Sequence, residues 1–181
     1  MKTWGTLPDE AALEFGADRF AADGVGADAW FRAVDVRAGA ATTFRWLCQL
    51  RVAPYSYDWI DNGGRRSPRT LTPGVDELAV GQRWMTIFDL VAFEPGEQLT
   101  FRIATPAARR LFGDIVITYL VRDLGPDHSR LVAKLWVPSP RGPLERVTRP
   151  LLAVGDLVMM RRQLLNLAGL AERHPTPRRA W

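Results

Sequence analysis

Few side chains in this sequence have the type and spacing that chemistry requires. Histidine occurs only at His128, inside the polar turn Gly125-Pro126-Asp127-His128-Ser129, and at His174, beside the end of the last periodic segment. Both read as solvated surface, because a histidine that acts as base or ligand needs a partner to fix its tautomer. The single cysteine, Cys48, excludes a disulfide framework and any multi-cysteine zinc or iron–sulfur site. No tight cluster of acids stands in for it, so neither a metal nor a cofactor is expected. No Gly-x-Ser-x-Gly elbow, Walker phosphate loop or His-Glu-x-x-His helix is present, and the hydrolase and nucleotide chemistries that use them lose their support. Gly63-Gly64-Arg65-Arg66 with Arg69 has the backbone amides and guanidinium groups to hold an anion. It precedes no strand-to-helix transition of the phosphate-binding type and reads as a solvated loop. The stretch from Arg45 to Asn62, with its aromatic and acidic run Tyr55-Ser56-Tyr57-Asp58-Trp59-Ile60-Asp61-Asn62, carries the most information.

The elements that must position these residues follow from periodicity. Trp30, Arg32, Val34 and Val36 alternate with Phe31, Ala33, Asp35 and Arg37, as in a strand. After Gly39 the period changes, and Phe44, Leu47, Cys48 and Arg51 fit an amphipathic helix from about Ala40 to Val52, stopped by Pro54. One or two further helical turns are expected over 55–62, then an irregular loop over 65–76. Trp84 to Phe93 and Glu97 to Thr105 read as a hairpin across Glu94-Pro95-Gly96-Glu97, with Pro and Gly at the central positions of a type II turn. Pro106 to Phe112 reads as a loop. Asp114 to Arg122 and Arg130 to Val137 form a second hairpin across Leu124 to His128. The last segment, from about Leu144 to Arg173, is the longest helix. Val147, Leu151, Val154 and Val158 form one apolar stripe and Leu157, Met160, Leu164, Leu167 and Ala171 the next, while Arg149, Asp156, Gln163 and Asn166 fall on the far side.

The run Arg45-Trp46-Leu47-Cys48-Gln49, followed by Tyr55-Ser56-Tyr57-Asp58-Trp59 and preceded by Trp4-Gly5-Thr6 with Glu10, resembles a bacterial branch of the START-related SRPBCC superfamily. These are the polyketide cyclase-like and lipid-transfer-like proteins, whose pattern is Trp-x-Trp-Leu-x-Gln and then Tyr-Ser-Tyr-Asp-Trp; Phe44 stands here for the first Trp. The resemblance implies an α+β helix-grip fold, a curved antiparallel sheet wrapped around a long C-terminal helix with two short helices after the first strand. The periodicity supplies the same order of elements. Family members enclose an apolar cavity between sheet and long helix, and a wide helix face carrying Met159 and Met160 suits one, since methionine adapts to irregular ligands.

Three functions are compatible with that fold. The leading one is binding of an apolar small molecule, lipid- or polyketide-like, in the cavity between the sheet and the C-terminal helix. Trp84, Phe101, Tyr119, Trp136, Met160 and Leu164 would line it, with Tyr55, Tyr57, Asp58, Trp59 and Asn62 near its mouth. The second is a cofactor-independent cyclase, aromatase or dehydratase, whose chemistry needs shape and one acid or base; Asp58 and Tyr57 are the candidates, and a buried Asp58 would keep its proton to higher pH. The third is a regulatory or partner-binding role without catalysis.

Composition bounds the rest. With 181 residues, 47% apolar and 24% charged, one soluble domain with an ordinary core is expected. We divide the chain into an acidic arm (1–28), a helix-grip domain (29–174) and a short tail (175–181). The formal charge of +4 hides an asymmetry, for residues 1–28 sum to −4 and residues 141–181 to +5. The arm is expected to lie against the basic C-terminal part, cancelling the field a nucleic acid would see. No nucleic acid is expected as partner, because the aromatics lie on strands and helices and are not interleaved with the basic residues. The N-terminal Asp9, Glu10 and Glu14 interrupt any secretory signal, and Asp156, Arg161 and Arg162 interrupt the most apolar segment, so no transmembrane span is expected. A cytoplasmic monomer or homodimer is the expected state.

Overall fold

The structure, a computed structural model, describes residues 2–21, 27–138 and 143–174. The elements run β1 (Thr3–Trp4), a 3-10 turn (Pro8–Ala12), α1 (Asp18–Ala21), β2 (Ala27–Val36), α2 (Ala40–Cys48) with a 3-10 extension (Gln49–Arg51), and α3 (Asp58–Asp61). There follow β3 (Arg83–Trp84), β4 (Phe88–Glu94), β5 (Gln98–Ile103), α4 (Pro106–Phe112), β6 (Val116–Gly125), β7 (His128–Pro138) and α5 (Pro143–Arg173). The strands form a seven-stranded sheet in the order β1-β2-β7-β6-β5-β4-β3. Every neighbouring pair is antiparallel except β1 and β2.

Alternation along the strands gives the sheet two different faces. Trp30, Val34 and Val36 of β2, Leu90, Leu99 and Phe101 of β4 and β5, Ile117, Tyr119 and Val121 of β6, and Leu131, Ala133, Leu135 and Val137 of β7 join one core with α2 and the last turns of α5. Phe31, Ala33, Leu120 and Val132 point the other way and pack on Phe15. The register fixes this division, because a slip of one residue would exchange the two faces.

The long C-terminal helix lies on the first face, but its buried side is rotated from the expected stripe. Met160, Leu164, Leu167, Ala168, Leu170 and Ala171 are buried, whereas Val158 is 45% exposed. Gln163 and Asn166, assigned to the far side by polarity, turn inward: Gln163 is buried, and the Asn166 amide donates to the Tyr55 carbonyl at 2.7 Å. Polar side chains on an amphipathic helix enter the interior when hydrogen bonds await them there. The side chains of Val147, Leu151 and Val154, and the expected tail 175–181, lie outside the described residues.

Four further expectations change. The strand expected to run from Trp84 to Phe93 is two strands, because Met85 (φ 45°) and Thr86 (φ 68°) reverse the chain so that Trp84 pairs with Phe88. Pro106–Phe112 is a helix rather than a loop. The Thr105 hydroxyl accepts from the Ala108 amide at 3.2 Å, Pro106 opens the helix, and Gly113 at φ 82° closes it. In the second hairpin the strands continue to Gly125 and from His128, leaving a tighter connection than the one expected.

The N-terminal arm is the largest correction. Among the described residues its Asp9, Glu10 and Asp18 meet cations of the strands; it crosses the outer face of the sheet, and β1 extends the sheet beside β2. Glu10, fully buried, pairs with Arg130, itself 3% exposed, and one of its oxygens lies 2.9 Å from the second guanidinium nitrogen. Asp9 lies 2.8 Å from Arg122, and that contact holds its carboxyl below the usual carboxylate range. Asp18 lies 2.7 Å from Lys134, whose ammonium sits over the rings of Phe15, Phe31 and Trp136. The Gly16 amide donates to Gln98 and the Ala17 amide to Thr118. A side chain at Gly16 would start 2.3 Å from the Thr100 hydroxyl, so only glycine permits this approach. The acids are drawn to cations of β6 and β7 because those cations, Arg130 and Lys134 above all, are withdrawn from water and need partners.

Candidate functional site

The motif residues converge, but on each other. Gln49, fully buried, donates to the Tyr55 hydroxyl (2.9 Å) and the Thr70 carbonyl (2.9 Å), and accepts from the Thr72 amide (3.0 Å). The Tyr55 hydroxyl donates in turn to the Pro68 carbonyl at 2.7 Å. Burial, only partly offset by the Gln49 amide, pushes the Tyr55 phenol up to about 12, so it remains a donor. Tyr55 holds a left-handed φ of 56°, a conformation that a tyrosine keeps only when its surroundings enforce it. The enforcement is visible: Asn166 takes its carbonyl, and Gln163 takes that of Pro54 at 2.7 Å.

Asp58 is half-buried at the start of α3, and both its oxygens serve Ser67, one accepting from the amide at 3.0 Å and the other from the hydroxyl at 2.5 Å. Asn62 donates to the Arg65 carbonyl at 2.6 Å. Tyr57 is half-buried beside Asp58, and Trp59 is 76% exposed, facing away from the core. Thus Gln49, Tyr55, Asp58 and Asn62 act as a clamp that folds the 62–72 loop back onto α2 and α5. Cys48, next to the clamp, is buried among apolar groups, and that burial pushes its thiol far up, making it inert.

The candidate lining residues divide between the two faces. Trp84, Phe101, Tyr119, Met160 and Leu164 share the core between sheet and α5. Trp84 and Phe101 have centroids 5.1 Å apart, and Phe101 meets Tyr119 edge-on at 6.0 Å. Trp136 is on the outer face, where its indole N–H donates to Asp18 at 2.8 Å, and cannot line the interior. A separate surface groove of about 610 Å³ lies outside that interior, between the arm, the start of α2 and the β4–β5 turn, bordered by Leu13, Ala40, Gly96 and Leu120.

Within the inner core two polar features stand out. The Tyr119 hydroxyl donates to Gln163 at 2.5 Å, and the Gln163 amide also lies 3.6 Å from the Met85 sulfur. The indole N–H of Trp84, with the side chain 0% exposed, has no hydrogen-bond partner among the described residues, a condition it shares with Trp46 on α2. Leaving such a donor buried and unpaired costs about 1–3 kcal/mol. Trp84 precedes the left-handed pair Met85 and Thr86 and pairs with Phe88, and Met85, Phe88 and Ile115 pack on the same core while remaining partly exposed. Gln163 was missed in the sequence because its polarity hides its burial; the pairing of Trp84 with a reversing turn left no signal beyond a run that reads as strand. Among the described residues no group of three or more His, Cys, Asp or Glu could hold a metal ion.

No family model matches the sequence, and no curated protein is significantly similar to it. Solved structures do match. The Zhui aromatase/cyclase from Streptomyces sp. R1128 superposes with a TM-score of 0.50 at 15% identity, over 81% of this chain and 94% of its own. A Thermobifida fusca protein solved by solution NMR gives a TM-score of 0.53 at 15% identity, over 83% of this chain and 99% of its own. The fold these structures share with the chain is the helix-grip fold. In this helix-grip chain the sheet grips α5 on its inner face, and the arm closes the outer face.

Proposed function

We propose that the protein binds an apolar small molecule, lipid- or polyketide-like, between the inner face of the sheet and α5. The observation that carries this reading is the buried indole N–H of Trp84, a donor without an acceptor among the described residues, in the core on which the partly exposed Met85, Phe88 and Ile115 pack. A carbonyl or hydroxyl oxygen on the ligand would satisfy that donor, while its apolar body covers the three neighbours. Trp84, Phe101 and Tyr119 are closely packed, so the ligand makes room by moving the flexible Met85 side chain and the left-handed turn that carries it. Native mass spectrometry of freshly purified protein tests the proposal. An adduct of small-molecule mass that is lost on organic extraction is expected; a bare chain mass that also fails to take up fatty-acid and anthraquinone probes would refute it.

Cyclase- or aromatase-type catalysis on the same surface is a second reading. It is favoured by the Tyr119 hydroxyl, a proton donor that reaches the interior and already gives its proton to Gln163. Asp58, with both oxygens engaged by Ser67, and the neighbouring Tyr57 are the other candidates. Full turnover by Tyr119→Phe, Asp58→Asn and Tyr57→Phe variants on a genuine substrate would remove it.

A further inference from the structure

The tip of the clamped loop carries side chains that ligand binding leaves unused. On α3, Trp59 is 76% exposed and its neighbour Ile60 53%. Side chains of this size are normally withdrawn from water. The exposure is built in rather than slack: the Asp58 carbonyl accepts from the Asn62 amide (3.2 Å) and the Gly64 amide (2.8 Å), and Ser67 ties the far side of the loop to the Asp58 carboxylate. Gly63 and Gly64, at φ 57° and 77°, have nothing within 4 Å of where a side chain would start, so the turn projects from the body. Arg65, Arg66 and Arg69 are exposed along the same loop, and none makes an ion pair among the described residues. Over 58–69 the opposing acids are Asp61 and Asp58, the latter turned to Ser67.

We propose that this tip docks on an anionic lipid surface, with Trp59 and Ile60 entering the boundary between headgroups and acyl chains and Arg65, Arg66 and Arg69 meeting lipid phosphates. The indole is suited to that boundary, apolar in body and able to donate at its edge. Guanidinium groups match phosphate oxygens in pairs and are held by the negative potential of an anionic leaflet. A second copy of the chain fits less well, since a two-fold interface centred on the tip would bring two sets of three arginines together. The inference stands on the exposed tip alone and does not depend on what the interior binds.

The test uses the full chain with vesicles of phosphatidylcholine alone and of phosphatidylcholine containing phosphatidylglycerol at about one-third of the lipid. Co-sedimentation only with the anionic vesicles, a blue shift of tryptophan emission and weakening by salt are expected. Trp59→Ala with Ile60→Ala should lower the affinity at least about tenfold. Replacing the three arginines by alanine should lower it about a hundredfold, at roughly fivefold each. Phe112→Ala, an exposed aromatic on α4, should bind as wild type, and unchanged thermal unfolding shows that each variant is folded. No binding to anionic vesicles, or equal binding by all variants, overturns the proposal. A wild-type dimer that Trp59→Ala converts to monomer, without vesicle binding, overturns it in favour of self-association.

Discussion

Replacing Gln49 by leucine should loosen the loop that carries the tip before it damages the rest of the fold. The amide side chain makes three hydrogen bonds, to Tyr55, Thr70 and Thr72, from a fully buried position. At about 1 kcal/mol net for each, their loss costs about 3 kcal/mol, and the added apolar burial of leucine returns about 1. The remaining deficit of about 2 kcal/mol corresponds to a fall in Tm of about 4–8 °C for a chain of this size. Circular dichroism on heating reads that value. Limited trypsin digestion in native buffer reads its location, since Arg65, Arg66 and Arg69 lie on the loop that loses its anchors at Thr70 and Thr72. Faster cleavage there, ahead of cleavage in β6 and β7, is expected. A Tm within about 1 °C of wild type together with unchanged cleavage would refute the clamp.

The outer face gives a second prediction. Glu10→Ala strands the buried Arg130 guanidinium with the exposed Asp35 and the Gly5 carbonyl as its remaining partners, and should cost about 3 kcal/mol in chemical denaturation. Tyr55 sets the alkaline limit. Its folded value of about 12 stands above the usual phenol value of about 10, so its contribution is complete below pH 10 and is lost as pH rises toward 12. Tyr55→Phe should flatten that part of the stability profile. The Cys48 thiol should react with a disulfide reagent only on unfolding, at the rate measured by fluorescence; rapid labelling of native protein would contradict its burial.

The architecture was largely legible because it rests on periodicity. The alternation through Trp30 to Val36 and the apolar run ending at Ala171 each required a buried face, and the structure supplies one for both. What failed was punctuation and polarity. Thr105, Pro106 and Gly113 spelled a capped helix that the charges of Arg109 and Arg110 disguised as loop. Gln163 and Asn166 read as solvent-facing because a sequence does not reveal which carbonyls and hydroxyls await a polar side chain inside. Charge sums did not point to the partners of three arm acids: the cations that take Asp9, Glu10 and Asp18 are Arg122, Arg130 and Lys134, spaced along strands where a sum over the C-terminal segment does not count them. The Tyr-Ser-Tyr-Asp-Trp segment located the fold, yet its Tyr55 and Asp58 serve the loop, and its tryptophan faces water.

The proposed ligand site stands most directly on Trp84. Indole N–H resonances followed by ¹H–¹⁵N NMR during titration with an anthraquinone probe read Trp84 apart from Trp30 and Trp46 in the same core and from Trp136 on the outer face. The Trp84 signal should move downfield with saturation as its N–H gains an acceptor, while that of Trp136, already bonded to Asp18 on the outer face, stays in place. A Trp84 resonance that does not move while the probe binds elsewhere, or that moves no more than that of Trp136, would contradict a ligand site between the sheet and α5.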